Sequence, residues 1–495
     1  MQSRVTRLLK PYPFEELRAA FSFQPDGYRF MPRFMDGTWD GCIRFLKYDK
    51  VPTGLFLAIR ETVEKECDVQ FEISDATDRV TFRKFEFPEA RPYQHAILEA
   101  MKKATARGGG IVKAATGAGK TRIAGMYFKC LPGCGLFVVD ELTLLEQARL
   151  EIEKVVGEKI GVVGRSEFVP ERISVATIQT LHRHLNRYEF KTWLRKIHTT
   201  IVDEFHVMLN RRQNEVMDSF RPPVVIGLTA TLDLEKEWTR IRAYAMAGPV
   251  IYEIDRATAT KAGYLTSGIV VQLSLGNGTK PSDEGYADEY AKLVVRDRTA
   301  NEAVADIAAA AVAAGRKVVI LVERIHHLKI LGRLISERNI DFRLAYGAKS
   351  AEHRRESIRD FEEDRVNVII ANRVFGKGVD IRKLDFIIDA TGGLSADACI
   401  QRFGRGVRLS EGKRALIYVD INHEGLVHTS FDSESGKFLS RETFGEIRAQ
   451  AFLKNKIRVF RLKYRPDLNI VRMIQKAEEL SHEETRPTQE EEAVS

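Results

Sequence analysis

A glycine-rich run, Ala114-Ala115-Thr116-Gly117-Ala118-Gly119-Lys120-Thr121, follows the apolar stretch Gly110-Ile111-Val112 and opens an amphipathic segment, Arg122 to Leu131. Strand, tight loop and helix in that order build a phosphate cradle. Small residues let the backbone curl so that its N–H groups and the helix N-terminus converge on an anion. Thr116, Gly117, Ala118 and Gly119 form the loop, Lys120 brings a point charge to the β/γ-phosphates, and the Thr121 hydroxyl can ligand Mg²⁺. Ala114 stands where the general pattern has its first Gly, and Gly117 and Gly119 keep the turn feasible. Downstream, Asp203-Glu204-Phe205-His206 follows Thr199-Thr200-Ile201-Val202, which reads as a buried strand. That places Asp203 to hold the Mg²⁺ and Glu204 to orient or deprotonate an attacking water. The pair implies a nucleoside-triphosphate hydrolase.

The length of 495 residues allows roughly three domains. Residues 1–88 are dense in aromatics (Phe21, Phe23, Tyr28, Phe30, Phe34, Trp39) interleaved with Arg29, Arg33, Arg44 and Lys47, and read as a small α+β module. From Arg91 onward short apolar strands alternate with helical segments, the signature of a parallel α/β sheet. The polar stretch Gly276 to Gly285 cannot build a core and marks a lobe boundary, giving a first lobe over 89–275 and a second over 276–425. The expected fold class is therefore α/β, two tandem parallel-sheet lobes with a nucleotide clamped between them, preceded by the small module. A basic, helical extension over 426–477 and an acidic, disordered tail over 478–495 complete the chain. The segment Arg448 to Arg465 carries seven Lys or Arg residues among Phe452, Phe460 and Tyr464. It reads either as a helix packed on the second lobe or as a phosphate-tracking helix with Lys454 and Arg458 among its contacts.

The net charge of +8 includes seven acidic residues and a single Arg after Ala477, so the body before that tail is more basic than the total. A basic body suggests a polyanionic partner, most simply nucleic acid. The five cysteines lack framework or metal-ligand spacing and read as reduced thiols. No apolar run is long enough to span a bilayer and Met1 to Lys10 has no signal-peptide pattern, so a cytoplasmic protein without membrane partners is expected.

An ordered set of short motifs over Arg91 to Leu409 resembles the superfamily-two helicases and translocases, whose lobes are RecA-like. The resemblance implies ATP and Mg²⁺ as cofactors. It places Gln94, in Arg91-Pro92-Tyr93-Gln94, on the adenine edge, and Thr177 and Gln179, in Val175 to Thr180, on the nucleic-acid backbone. Asp140-Glu141 replaces the usual Pro-Thr of an earlier backbone-contacting motif. His206, Thr229, Thr231 and Gln401 take coupling roles, and Asp380, in Gly376 to Asp380, links nucleotide and strand. Asn372 stands where a DNA-contacting Thr is usual. Gln401-Arg402-Phe403-Gly404-Arg405-Gly406-Val407-Arg408 is similar to the arginine-finger motif, with Arg405 and Arg408 reaching the γ-phosphate.

The stretch Phe21 to Phe34, with Trp39-Asp40-Gly41-Cys42-Ile43-Arg44, closely resembles the start of the UvsW-type bacteriophage helicases. That likeness implies a DNA-docking role for Arg29, Arg33, Arg44 and Lys47. It also implies a motor acting on Holliday junctions, forks and R-loops in recombination, replication and repair. A monomer in solution, a single-stranded-DNA-binding or recombination protein as further partner, and the host bacterial cytoplasm for a phage-encoded chain go with it. The residues themselves leave open an RNA helicase, a duplex translocase without strand separation, and an ATP-gated nucleic-acid-binding scaffold, because backbone contacts do not distinguish DNA from RNA.

Overall fold

In the computed structural model, the described residues are 5–8, 14–25, 27–48, 50–66, 80–165, 167–209, 216–217, 219–220, 222–276, 286–347, 351–372, 381–410, 412–431 and 438–482. The chain divides into two compact units at Asp255/Arg256.

The first unit holds the N-terminal module and an eight-stranded sheet. Its strands are β1 (Gly109–Ala114), β2 (Cys134–Val139), β3 (Gly161–Gly164), β4 (Glu167–Val169), β5 (Ile173–Thr177), β6 (Ile197–Val202), β7 (Val224–Thr229) and β8 (Val250–Ile254). They lie in the order β8-β1-β7-β6-β2-β5-β3-β4, parallel throughout except for the β3–β4 hairpin at one edge. Helices cover this sheet on both faces, so its central strands are near-continuous runs of Val, Ile and Leu instead of alternating ones. Helix α1 (Pro92–Thr105) precedes β1, α2 (Lys120–Cys130) follows it, and α3 (Glu237–Ala247) leads into β8.

The module shares a core with this lobe. Leu17, Phe21, Leu46, Val51, Leu55, Ile59 and Val63 cluster with Ile241 of α3, and Phe23 meets Trp238 with ring centroids 4.1 Å apart. Gly54 sits where a Cβ would collide with the Tyr244 carbonyl oxygen, so the absence of a side chain permits this approach.

The second unit has a seven-stranded sheet: β9 (Gly268–Leu275), β10 (Val318–Val322), β11 (Phe342–Ala345), β12 (Val368–Asn372), β13 (Phe386–Asp389), β14 (Leu416–His423) and, beyond the hairpin β15 (Val427–Phe431) and β16 (Phe438–Thr443), β17 (Val459–Lys463). The order β11-β12-β10-β13-β14-β9-β17 is parallel throughout. Two parallel-sheet lobes in tandem are the RecA-like arrangement.

Three expectations change. The lobe boundary moves upstream of Leu275, because β9 pairs with β14 and β17 of the second sheet. The basic segment Arg448 to Arg465 is not one helix. Helix α5 (Phe444–Lys454), which follows α4 (Ala396–Gly406) in the same unit, stops at Asn455, and β17 then completes the sheet edge. The extension also supplies α6 (Ile470–His482), whose Met473, Ile474, Ala477 and Leu480 enter the second core, so it is part of that lobe. Residues 483–495 of the acidic tail lie outside the described set.

Cys42, Cys130, Cys134 and Cys399 are free thiols, and Cys67 lies outside the described residues. Among the described residues no helix is long and apolar enough to cross a membrane, and no cluster of three metal-binding side chains occurs.

Candidate nucleotide and nucleic-acid sites

The ends of β1, β6 and β7 bring the phosphate-loop and acidic motifs together. β7 pairs with both β1 and β6, so Lys120, Asp203 and Thr229 emerge at the same carboxyl edge. Gly117 (φ 91°) and Gly119 (φ 75°) hold left-handed backbone that only glycine adopts without strain, and Gly119 caps α2. Lys120 Nζ reaches the Ala114 carbonyl oxygen at 3.4 Å, a long contact that an anion would displace. Thr121 lies in the first turn of α2.

Asp203 is fully buried, and burial first and Glu204 second push its carboxyl up to about 6, against the pull of Lys120. Its Oδ1 accepts from the Glu204 backbone N–H at 3.1 Å. Glu204 itself has φ 46°, a strained conformation for a residue with a side chain. Its buried Oε2 has no hydrogen-bond partner among the described residues, and neither does Thr116 Oγ1. An orphaned carboxylate oxygen, an orphaned hydroxyl, a desolvated Asp and a glycine cradle together fit a nucleoside triphosphate with a divalent cation.

His206 Nδ1 lies 3.6 Å from Glu204 Oε2 and 3.2 Å from Thr229 Oγ1. Thr229 Oγ1 donates to the Thr231 carbonyl at 2.8 Å and accepts from the Thr231 N–H at 3.2 Å. The acidic motif is thereby wired to the Thr229-Ala230-Thr231 turn through His206. Gln94, at the third position of α1, is buried; its Oε1 accepts from the Arg91 N–H at 3.0 Å, while its amide nitrogen faces Gly119.

A second feature of the same lobe is a groove of about 900 Å³ lined by Asp140, Glu141, Arg165, Thr177, Gln179, Arg183, His184 and Arg187. Thr177 is buried as an N-cap, its hydroxyl accepting from the Thr180 N–H at 3.3 Å. Gln179 Nε2 donates to the Asp140 carbonyl at 2.6 Å and to its Oδ1 at 3.2 Å. The replacement of Pro-Thr by Asp140-Glu141 thus ties up the neighbouring glutamine. Arg165, Arg183 and Arg187 escaped the sequence reading; the i, i+4 spacing of the last two was the available signal.

In the second unit, Gln401 and Arg405 ride on α4, and Arg408 follows it, its backbone pairing with Leu265. Asn372 ends β12, buried, with no partner for its Oδ1 among the described residues, and Asp380 lies outside them. Lys454 is exposed at the end of α5, and half-buried Arg458 donates to the Leu480 carbonyl at 3.1 Å. Arg448 is buried, so it cannot track phosphates: desolvating it required a fixed carboxylate, Asp420.

On the module, Arg29, Arg33 and Lys47 are exposed beside Phe30, Met35 and Tyr48, which expose 69%, 73% and 87% of their surface. Arg44 is held by Asp40, whose carboxyl that contact draws down to about 2.

Comparison with known proteins gives three matches to family descriptions: "Type III restriction enzyme, res subunit" over 87–234, "Helicase conserved C-terminal domain" over 300–410, and "DNA helicase UvsW, N-terminal" over 12–74. The chain is 24% identical over 396 residues to a DNA 3'-5' translocase, XPB2, of Sulfurisphaera tokodaii, covering 72% of this chain and 87% of that protein. It is 54% identical over 56 residues to the ATP-dependent DNA helicase uvsW of Enterobacteria phage T4, which is 11% of this chain and 10% of that one. Among solved structures, Saccharomyces cerevisiae Dbp5 bound to RNA and ADP-BeF3 superposes with a TM-score of 0.52 at 15% identity, covering 80% of this chain and 98% of that one.

Proposed function

From the premise that this chain is an ATP-dependent superfamily-two helicase resembling the UvsW type, we propose that it remodels branched DNA, including Holliday junctions, forks and R-loops, in recombination, replication and repair. The observation that carries this reading is the N-terminal module. Its match to the phage UvsW protein is stronger than any elsewhere in the chain, and it is fused through Ile241 and Trp238 to the ATP-binding lobe. A docking module sharing a core with the motor holds the duplex in fixed register with the groove of the same lobe.

In the proposed mechanism Lys120 and the cradle around Gly117 and Gly119 bind the β/γ-phosphates. Thr121 and Asp203 would hold Mg²⁺, which supplies charge neutralisation on the phosphate oxygens. Glu204 orients the attacking water and takes its proton, and the unpartnered Oε2 is the atom that does so. Gln94 reads the adenine edge. Arg405 and Arg408 stabilise charge on the transferring phosphoryl group, so turnover requires the second lobe to engage the nucleotide. The His206–Thr229–Thr231 chain and Gln401 report hydrolysis to the strand, which Gln179, Asn372, Lys454 and Arg458 would contact together with the arginines of the groove. Asp380 would link nucleotide and strand. A single-stranded-DNA-binding or recombination protein is the partner such a motor would meet.

Strand displacement on a four-way junction, a fork, an R-loop and an RNA duplex tests the reading. Preference for the first three supports it. Efficient unwinding of the RNA duplex alone, or DNA-stimulated hydrolysis with no strand separation on any substrate, would replace it with an RNA helicase or a pure translocase.

A further inference from the structure

Three arginines occupy Gln401 to Arg408, and one of them faces inward. Arg402 Nη1 donates to Asp389 Oδ2 at 2.6 Å and to Thr391 Oγ1 at 3.1 Å. Asp389 is fully buried and also accepts from the Thr391 N–H at 3.1 Å, the Thr391 hydroxyl at 2.6 Å and the Tyr418 hydroxyl. Asp389 ends β13 and Ser395 caps α4, so the linker between them delivers the arginine helix from the sheet. Arg402 grips that linker at its start.

The middle of the linker is Gly392-Gly393, the sequence with the greatest backbone freedom. Gly392 has φ 60°, and a Cβ at Gly393 would meet nothing within 4 Å, so packing does not fix this point. Arg448 does. From α5 of the C-terminal extension, its Nη1 donates to the Gly393 carbonyl at 2.6 Å, its Nη2 to the Ile421 carbonyl at 2.9 Å and its Nε to Asp420 Oδ1 at 2.9 Å. Asp420 is completed by Gln272 Nε2 at 2.8 Å. All three directions of the planar guanidinium are used, a geometry that an ammonium cannot reproduce. One turn along α5, Phe452 packs on Phe403 of the arginine helix and on Tyr418, with centroids 6.1 and 5.5 Å apart.

We propose that Arg448 is a positioning residue for the arginine fingers: by holding the Gly392–Gly393 linker it fixes where α4 presents Arg405 and Arg408. The C-terminal extension thereby sets the rate of hydrolysis without touching nucleotide. The proposal rests on the reading of Arg405 and Arg408 as fingers.

The test uses the full-length protein, DNA-stimulated ATP hydrolysis, binding of a fluorescent ATP analogue, and thermal unfolding to establish folding. Arg448→Lys keeps the charge opposite Asp420 but cannot serve all three acceptors. The pair Asp420→Asn with Arg448→Met removes both charges, so no buried ion is left unpaired. For both, kcat should fall about tenfold to a hundredfold, with KM for ATP and analogue binding within roughly twofold of wild type. Wild-type kcat in either folded variant, or a raised KM at unchanged kcat, overturns the positioning role. Arg408→Ala is measured beside them. Lost kcat there, with Arg448→Lys unaffected, overturns the positioning role alone. Unchanged kcat in Arg408→Ala overturns the finger reading as well, since no finger then needs positioning.

Discussion

His206 Nδ1 stands 3.2 Å from Thr229 Oγ1, joining the end of β6 to the turn after β7. The imidazole also lies 3.6 Å from Glu204 Oε2, so one side chain faces both the hydrolytic carboxylate and the coupling turn. A change in charge at Glu204 on proton uptake therefore alters the field at the same ring that holds Thr229.

Thr229→Ala and His206→Ala should separate hydrolysis from mechanical work. Neither residue touches the phosphate cradle, so DNA-stimulated hydrolysis is expected to stay within roughly tenfold of wild type, while strand displacement per ATP falls much further. Equal losses in both measurements would show that the chain serves catalysis itself.

Lys120→Ala removes the fixed cation of the cradle and should reduce hydrolysis by about a hundredfold or more. Glu204→Gln keeps the shape but loses the base, and should bind ATP and DNA tightly while turning over slowly. Substantial DNA-stimulated turnover by either variant would move the site elsewhere.

The second lobe should lose stability as pH falls from 6.5 toward 4.5. His327 and His423 are buried, and burial first holds them neutral, to about 4 and about 3. Below the ordinary imidazole value the unfolded chain takes up protons that the folded lobe refuses, so acid favours unfolding. Burial raises the carboxyls of Asp385 and Asp420, which works in the opposite direction. The net slope is therefore less informative than its change in a variant. His327→Gln, which retains a donor for the Asn301 Oδ1 now 2.7 Å from Nε2, should flatten the slope by nearly one proton, about 1 kcal/mol per pH unit. Equal slopes for variant and wild type in unfolding titrations would refute this.

The nucleotide half-site was legible because its chemistry is local. Gly117 and Gly119 announce positive φ, and Asp203-Glu204 closes an apolar run that can only be a buried strand. The second lobe's boundary was not legible. β9 has the same Val- and Leu-rich texture as the strands before it, and only its pairing with β14 and β17, far downstream, assigns it to the second sheet. Arg448 misled for the same reason. In sequence it heads a run of basic residues and aromatics, yet its partners Asp420 and Gly393 belong to other elements, and no local pattern distinguishes a buried guanidinium from a phosphate ligand. Charge runs carry information about solvent only once burial is known.

The module's role is best tested by point changes, because it shares its core with α3. Deleting residues 1–88 would strip Ile241 and Trp238 of their cover, and lost binding could not then be told from lost stability. Trp39 is unsuitable as well, since its Nε1 donates to the Cys42 carbonyl at 2.9 Å and Tyr28, Phe34 and Gly41 pack together nearby. Arg29, Arg33 and Lys47 are exposed, and their removal leaves the core intact. Arg44 is the weaker candidate because Asp40 already neutralises it. The triple change Arg29→Ala, Arg33→Ala, Lys47→Ala should leave unfolding temperature and unstimulated hydrolysis near wild type. It should weaken binding to a four-way junction and flatten the dependence of log K on log salt by up to about 2.7, since each lost phosphate contact on duplex DNA accounts for about 0.9. A triple variant that binds the junction with wild-type affinity and slope at several salt concentrations would make the module a structural cover for α3, and the DNA contacts would then fall to the groove arginines Arg165, Arg183 and Arg187.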